Sequence, residues 1–539
     1  MGGGFGGKIG VYPDEALVSY ASMDLKQPVK WVESRNEHFQ SANGGRDMMV
    51  DLELAGTKDG KITALRAVNH ANIGAYLATF GPGNPTIDFG LMLSGAYKIE
   101  KAQCTTYGMY TNTMSVDSYR GAGKPEVTYM LERAVEDFAR EINMDPVEVR
   151  RINFPSKEEF PFTNTQGLIY DSGDYIKALE RAVENADYDS LRKEQKELRE
   201  QGKYIGIGLA SYVELSGFGP SAVAGGIGFQ GGIWENSTVR VHPTGKVTVF
   251  TGTSPHGQGH DTTFSQIVKD KLGIPYEDIN FVFNDTRAVS MGWGTYGSRS
   301  LAVGGNAVAL ATDKVVEKGR LLAAHLLESD VENIEFNEGV YSVKGDNQKQ
   351  KTFQEIAKAA NFAWDMPEGM EPGLEEKTFF DPSNFTYPFG THIAVVEVDI
   401  ETGEIEILRY ISVDDSGKIV NPTVAEGQIL GGIAQGVGQA LWEGVQYDET
   451  GQLQSGSFMD YTMPKAKFFP KIEMDFTETL SPVNQLGTKG IAESGTTGSI
   501  AATANAVIDA LSPLGVKNIE LPLKPEKVWR AIQKGGAEL

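Results

Sequence analysis

Apolar residues recur along this chain with two periods. Over residues 125–142, Val127, Met130, Leu131, Ala134, Val135, Phe138 and Ile142 share one helical face, which predicts an amphipathic helix with Pro125 in its first turn. Residues 46–78 alternate instead and break at Lys58-Asp59-Gly60, which predicts a β-hairpin. Further helices are predicted at 13–25, with Pro13 and Asp14 near the start, at 262–272, over roughly 302–328, over about 427–445 and at 498–511. Strands are predicted at 206–213 and 237–252, and a strand pair over 391–412 turns at Glu401-Thr402-Gly403. Residues 190–203 are highly charged and helix-prone, which reads as a solvated helix leading to a domain boundary near 205. Strands and helices mix without strict alternation, so the class is α+β rather than a doubly wound sheet.

Composition narrows the partners. The chain has 539 residues, 40% hydrophobic and 22% charged, as in soluble globular proteins. Lys plus Arg number 49 against 72 Asp plus Glu, and a net charge of −23 argues against nucleic acid or an anionic membrane as the main partner. No apolar run reaches the length of a membrane span, and no signal-peptide pattern is visible. Gly6 stands where a myristoylation motif wants Ser or Thr, so the expected compartment is the cytoplasm. The single cysteine, Cys104, rules out an intrachain disulfide, a cysteine-ligated zinc site or an iron–sulfur cluster held by this chain. Any redox cluster therefore belongs to another polypeptide. Cys104 lies in KAQCTTYGMY, a strand-like run, and reads as a small buried hydrophobe. His256 and His260 flank Gly257 and Gly259, so they read as loop residues near a ligand rather than a helical metal pair.

The candidate chemistry lies in glycine-rich loops. Gly487–Ala510 places one carboxylate, Glu493, in a loop running into an apolar helix, where backbone can approach a ligand and free N–H groups can meet an anion. Gly2–Lys8, GGGFGGK, formally satisfies GxGxxG at Gly2, Gly4 and Gly7, but no strand precedes it and Ile9 replaces the hydroxyl a P-loop needs. SYRGAGKPE sets Arg120 before a helix start, where the alternative is a structural ion pair. In TSPHGQGHDTT, Gln258 offers donor and acceptor to a heterocycle. In GTYGSRSLAVGG, Thr295, Ser298 and Ser300 are candidate phosphate ligands. In GQILGGIAQGVG, Gly431, Gly432, Gly436 and Gly438 leave a helix bare for a flat ligand or, with equal weight, for close helix packing. Together these elements suggest one large anionic ligand held mostly by backbone amides.

The ordered set GGGFGGK, SYRGAGKPE, TGTSPHGQGHDTTFSQI, GTYGSRSLAVGG, GQILGGIAQGVGQALWEG and GTKGIAESGTTGS resembles the molybdenum-binding large subunit of the xanthine dehydrogenase/aldehyde oxidase family, above all its carbon monoxide dehydrogenase-type members. The resemblance spans the whole chain. It implies a two-lobed pair of molybdopterin-binding domains, residues 1–204 and 205–539. It also implies a region before GGGFGGK, so the chain is a fragment, has an alternative start, or is completed by a separate polypeptide. The implied cofactor is a molybdopterin dinucleotide, in its cytosine form, with molybdenum held through the pterin and no protein ligand. By the resemblance, Gly4, Phe5 and Gly6 lie beside the metal, and Arg120, Gly121 and Ala122 form the active-site loop. His256, Gly257, Gln258 and Gln428 meet the pterin, and Thr295, Ser298 and Ser300 lie near the phosphates. Glu493 is the implied catalytic base of a hydroxylation that draws oxygen from water. Electrons leave through a small [2Fe–2S] subunit and an FAD subunit, in an implied dimer of heterotrimers. Gly121 replaces the copper-bridging cysteine of carbon monoxide dehydrogenases, Asp88 stands where xanthine-oxidising members use arginine, and Ala122 replaces a ring-stacking phenylalanine. That leaves aldehydes, N-heterocycles or similar small carbon centres as substrates. A Rossmann or P-loop nucleotide binder and an inactive remnant are the alternatives.

Overall fold

A computed structural model describes residues 3–226 and 228–535; Gly2 of the first motif and the last four residues lie outside it. Helix α1, Pro13–Leu25, has the predicted bounds, yet buries none of its residues and exposes Leu17, Tyr20 and Met23. The predicted hairpin is β1, Met48–Gly56, antiparallel to β2, Ile62–Gly74, and β3, Lys101–Tyr110, adds parallel to β2. Cys104 in β3 is half-buried rather than buried, with Sγ 3.7 Å from the Thr106 hydroxyl. Helix α2, Lys124–Glu141, turns Val127, Leu131 and Val135 inward as its periodicity requires.

Tyr204–Val213 is β4. A hairpin of β5, Glu235–Val241, and β6, Val247–Thr251, follows, then helix α3, His260–Leu272, and strand β7, Ile279–Phe283. With β8, Leu374–Phe380, they form a four-stranded sheet in the order β8-β5-β6-β7, covered by helix α4, Asn306–Leu326. A π-helical turn, Ser300–Gly305, replaces the start of the long helix predicted from 302. The chain then returns through β9, Phe389–Val398, and β10, Ile405–Asp415, helix α5, Pro422–Leu441, strand β11, Ile472–Thr477, and helix α6, Ser494–Leu511. Strands β11-β10-β9-β4 form the central sheet.

Both faces of this sheet are covered, which explains the nearly unbroken burial along β4 and β9. Ile207, Leu209, Ile393 and Ile411 point into one core with Leu93, Leu131 and Val135, whereas Ala210, Ala394 and Tyr410 face α5 and α6. Gly206 and Gly208 admit α6 directly onto β4, since any Cβ there would strike the backbone at Ala506. Buried Arg150 pairs with Glu132 at 2.6 Å and Glu136 at 3.0 Å, and Glu132 accepts from Ser211 N–H at 2.8 Å, tying α2 to β4. The charged stretch before 205 is the helix Tyr188–Glu200. It is only partly solvated, because Arg192 pairs with Asp509 at 3.0 Å and Gln195 is buried. No helix among the described residues is long and apolar enough to cross a membrane.

Candidate active site

Arg120 is the tie between the loops. Its N–H donates to Phe5 O at 2.8 Å, and its guanidinium lies over the Phe5 ring, 5.5 Å from the centroid. Nη2 donates to Gln428 O at 2.8 Å and Oε1 at 3.2 Å, Nη1 to Gln435 Oε1 at 3.0 Å, and Nε to Ala492 O, next to Glu493. The alternative of a structural ion pair is not what the geometry shows: Arg120 binds carbonyl and amide oxygens. Gly6 lies so close to the Ser118 backbone that a Cβ would overlap it, and Gly4 faces the His256 ring. Gly3 N–H donates to His256 O at 3.2 Å, and Ser254 N–H to Thr295 Oγ1 at 3.0 Å. Ser298, at φ +51°, packs on Gly490 in the Glu493 loop. Segments far apart in sequence thus meet at one place.

Several predicted ligand groups are spent within the protein. Thr295 and Ser300 hydroxyls bond each other at 2.8 Å, and Gln258 Oε1 accepts from His256 N–H, closing its own loop. His260 opens α3 as a buried ring stacked on Phe264, and burial pulls its pKa down to about 4, so it is neutral at pH 7. Gly121, at φ +110°, packs on Pro125, and Ala122 takes φ +43°, a left-handed conformation uncommon for a residue with a side chain. In α5, Gly432 receives the α6 backbone at Gly495, and Gly436 receives Ser499, so close helix packing accounts for these two. Gly431 instead faces the Arg120 guanidinium.

Around Glu493 lies a charged cluster that sequence reading missed. Its Oε2 is 3.9 Å from buried Lys124 Nζ, beyond hydrogen-bond reach, and has no protein hydrogen-bond partner. Fully buried Glu214 accepts from Ser494 Oγ at 3.0 Å. Burial, followed by the charge of Glu493, pushes the Glu214 carboxyl well above its ordinary range, against the pull of Lys124. Burial also lifts Asp88 to about 6, with Lys124 opposing. Burial alone would lower Lys124, but Asp88, Glu493, Glu214 and Glu126 together hold its ammonium above its ordinary value. The available signal for Glu214 was an acid directly after a largely apolar strand; Lys124 sat inside a motif already singled out.

The residues present suit a large anionic cofactor. Gly257, Gly294 and Gly427 have open space where a side chain would stand, so bare backbone faces room in three of the loops. The buried oxygens Ser298 Oγ and Glu493 Oε2 lack protein partners. Helices α2, α3 and α6 all begin at these loops without a side-chain cap, leaving first-turn N–H groups for an anion.

Comparison with known proteins gives the class. Residues 1–154 and 181–470 each match a molybdopterin cofactor-binding domain. The chain is 40% identical to the carbon monoxide dehydrogenase large chain of Hydrogenophaga pseudoflava, over 99% of this chain and 67% of that one. It is 37% identical to the nicotine 6-hydroxylase large subunit of Paenarthrobacter nicotinovorans, over 98% of this chain and 65% of that one. Quinoline 2-oxidoreductase from Pseudomonas putida 86 superposes with a TM-score of 0.94 at 36% identity, covering 99% of this chain and 68% of that one. The chain therefore belongs to the molybdopterin-binding oxidoreductases of the xanthine dehydrogenase and carbon monoxide dehydrogenase type, and spans about two thirds of the length of these relatives.

Proposed function

We propose that this chain is the catalytic subunit of a molybdenum hydroxylase that oxidises an aldehyde, an N-heterocycle or a similar small carbon centre with oxygen from water. The observation that carries this reading is the convergence of the Phe5, Arg120, His256, Gln428 and Glu493 segments on a carboxylate with a free, buried oxygen. The cofactor would supply a two-electron acceptor and an activated water. Gly4, Phe5, Gly6, Gly121, Ala122, Gly257 and Gln258 would line it, Ser298 and the uncapped helix starts would meet its anionic groups, and Thr295, Ser300 and Gln428 would shape the loops that do so. Glu493 would take up the proton, because a general base needs an ionised carboxylate with a free lone pair at the reacting position. Lys124 Nζ lies 3.9 Å from the Glu493 Oε2. Its likeness to nicotine 6-hydroxylase and quinoline 2-oxidoreductase supports an N-heterocycle.

The finer assignments belong to the same proposal: a cytosine dinucleotide, partner subunits carrying [2Fe–2S] and FAD, a dimer of heterotrimers, a cytoplasmic location, and lobes dividing at 204/205. The lone cysteine supports clusters on a partner, and the exposed apolar side chains of α1 suit a protein contact. A carbon monoxide dehydrogenase-like reaction is the second reading, favoured by the 40% identity. Against it, Gly121 places no thiol in the Arg120 loop, and Cys104 lies in β3.

Replacing Glu493 with Gln keeps shape while removing the proton acceptor. In the assembled complex, turnover per bound molybdenum should fall by about 10²-fold or more, in kcat rather than only in KM. Near-normal turnover per molybdenum would assign Glu493 to structure and overturn the reading.

A further inference from the structure

Arg46 belongs to none of the glycine-rich motifs, yet it lies behind the loop that carries Arg120. Residues 43–46 run beside 115–121: Gly44 N–H donates to Ser115 O at 2.9 Å, and Asp117 N–H donates to Gly44 O at 2.9 Å. Gly45 lets the two segments close, since a Cβ there would stand 2.5 Å from the Tyr119 side chain. The Arg46 guanidinium rests over the Tyr119 ring, 4.6 Å from its centroid, and the side chain is 4% exposed. Its Nη2 donates to Arg120 O and, at 3.4 Å, to Tyr119 O.

Directly after these two carbonyls come three left-handed residues in succession: Gly121 at φ +110°, Ala122 at +43° and Gly123 at +87°. Ala122 carries a side chain, and such a backbone persists only where its surroundings over-determine it. This path delivers two groups to the site. Arg120 N–H reaches Phe5 O at 2.8 Å, and Lys124, the first residue of α2, comes within 3.9 Å of Glu493 Oε2. Glu126 offers a competing role for Arg46, as a plain ion pair. Its Oε2 lies 3.5 Å from Arg46 Nε, but neither atom makes a hydrogen bond, and Arg46 Nη1 makes none either. Among the described residues, the hydrogen bonds of this guanidinium go to the loop carbonyls alone.

We infer that Arg46 is a positioning residue: its buried guanidinium clamps the carbonyls of Tyr119 and Arg120 and holds Gly121–Gly123 on the left-handed path that sets Arg120 and Lys124 in the site. Lysine keeps the charge opposite Glu126, but it cannot lie flat on Tyr119 while reaching two carbonyls. Glu126→Gln does the reverse, weakening the ion pair and leaving the clamp whole.

The catalytic part of this inference rests on the proposed hydroxylase reading; the clamp itself does not. Hydrogen exchange in the cofactor-free full-length chain tests the clamp, because the Arg120, Ala122 and Lys124 amides bond to Phe5 O, Tyr119 O and Gly121 O. In Arg46→Lys, peptides covering residues 119–124 should exchange about tenfold faster, and in Glu126→Gln they should stay within about twofold of wild type. Unchanged exchange in Arg46→Lys, or equal acceleration in both, overturns the clamp. Should Arg46→Lys fail to fold, Tyr119→Leu serves instead: it removes the ring under the guanidinium, and the same peptides should exchange about threefold faster or more, no acceleration overturning the proposal. In the assembled complex, Arg46→Lys should lower kcat per bound molybdenum by about tenfold, a change that a loss of folded protein alone would not produce, while Glu126→Gln stays within about twofold. Normal kcat per molybdenum in an Arg46→Lys chain whose loop exchanges faster refutes the positioning role. A normal Glu493→Gln enzyme refutes the hydroxylase reading, and the exchange result on Arg46 is independent of it.

Discussion

Arg120→Met tests whether one guanidinium holds the site together. The substitution keeps the aliphatic stem and removes four hydrogen bonds to Ala492 O, Gln428 O, Gln428 Oε1 and Gln435 Oε1. At about 1.5 kcal/mol each, the low end for a charged donor, they amount to roughly 6 kcal/mol gross. Burial opposes this by disfavouring the charged guanidinium. The two glutamine side chains can also turn toward other partners, so a net loss of about 2–4 kcal/mol is expected. Lysine should rescue little, since a single ammonium cannot span the fork that reaches α5 and the Glu493 loop together. A chain with several hydrophobic cores need not unfold in one step, so local hydrogen exchange in the full-length protein is the better assay. Peptides covering residues 488–496 and the first turns of α5 should exchange at least about tenfold faster, as a local loss above roughly 1.4 kcal/mol requires. Unchanged exchange there, in a variant that folds, would refute Arg120 as the tie.

Two further outcomes follow from the geometry. Asp88 has a folded pKa of about 6, raised above its ordinary 3.8. The folded state thus binds this proton more tightly, and the associated stability is present below the ordinary value and lost as pH rises through about 6. The wild-type melting temperature should therefore fall relative to that of Asp88→Asn across this window; parallel curves would contradict the shift. Gly495→Ala should destabilise the chain by about 1–3 kcal/mol, because its Cβ would strike the α5 backbone at Ile429 and Ile433. Gly427→Ala, in α5 with open space around it, should instead stabilise by about 0.5–1 kcal/mol in urea unfolding; a reversed order would refute the packing account.

What the sequence displayed was local. Helix α2 and the β1–β2 hairpin are legible because their apolar periods match the faces they bury. The Glu493 loop is legible because an acid between glycines before an apolar helix has few structural uses. Glu214 was not, because its hydrogen-bond partner Ser494 lies 280 residues away in sequence. The hydroxyls of Thr295 and Ser300 looked like phosphate ligands because composition does not show that they satisfy each other. The charged helix Tyr188–Glu200 looked solvated because Asp509, which receives Arg192, lies on a distant helix. Cys104 looked buried because strand alternation does not show that the β3 face it lies on is only partly covered.

A glycine-rich loop is a poor support for a proton acceptor unless something else fixes it. Here the support is α6, whose every residue except Asp509 is buried against β4, β9 and α5. Glu493 occupies the N-cap of that helix without capping it, so its backbone is set by the helix while its carboxyl remains available. The helix N-terminus favours an anion at this position, and Lys124 adds a full charge 3.9 Å away. Burial leaves Oε2 without a protein partner and so keeps a lone pair unspent. On this reading the flexibility of the glycines serves the approach of the ligand, and the precision of the carboxylate comes from the helix behind it.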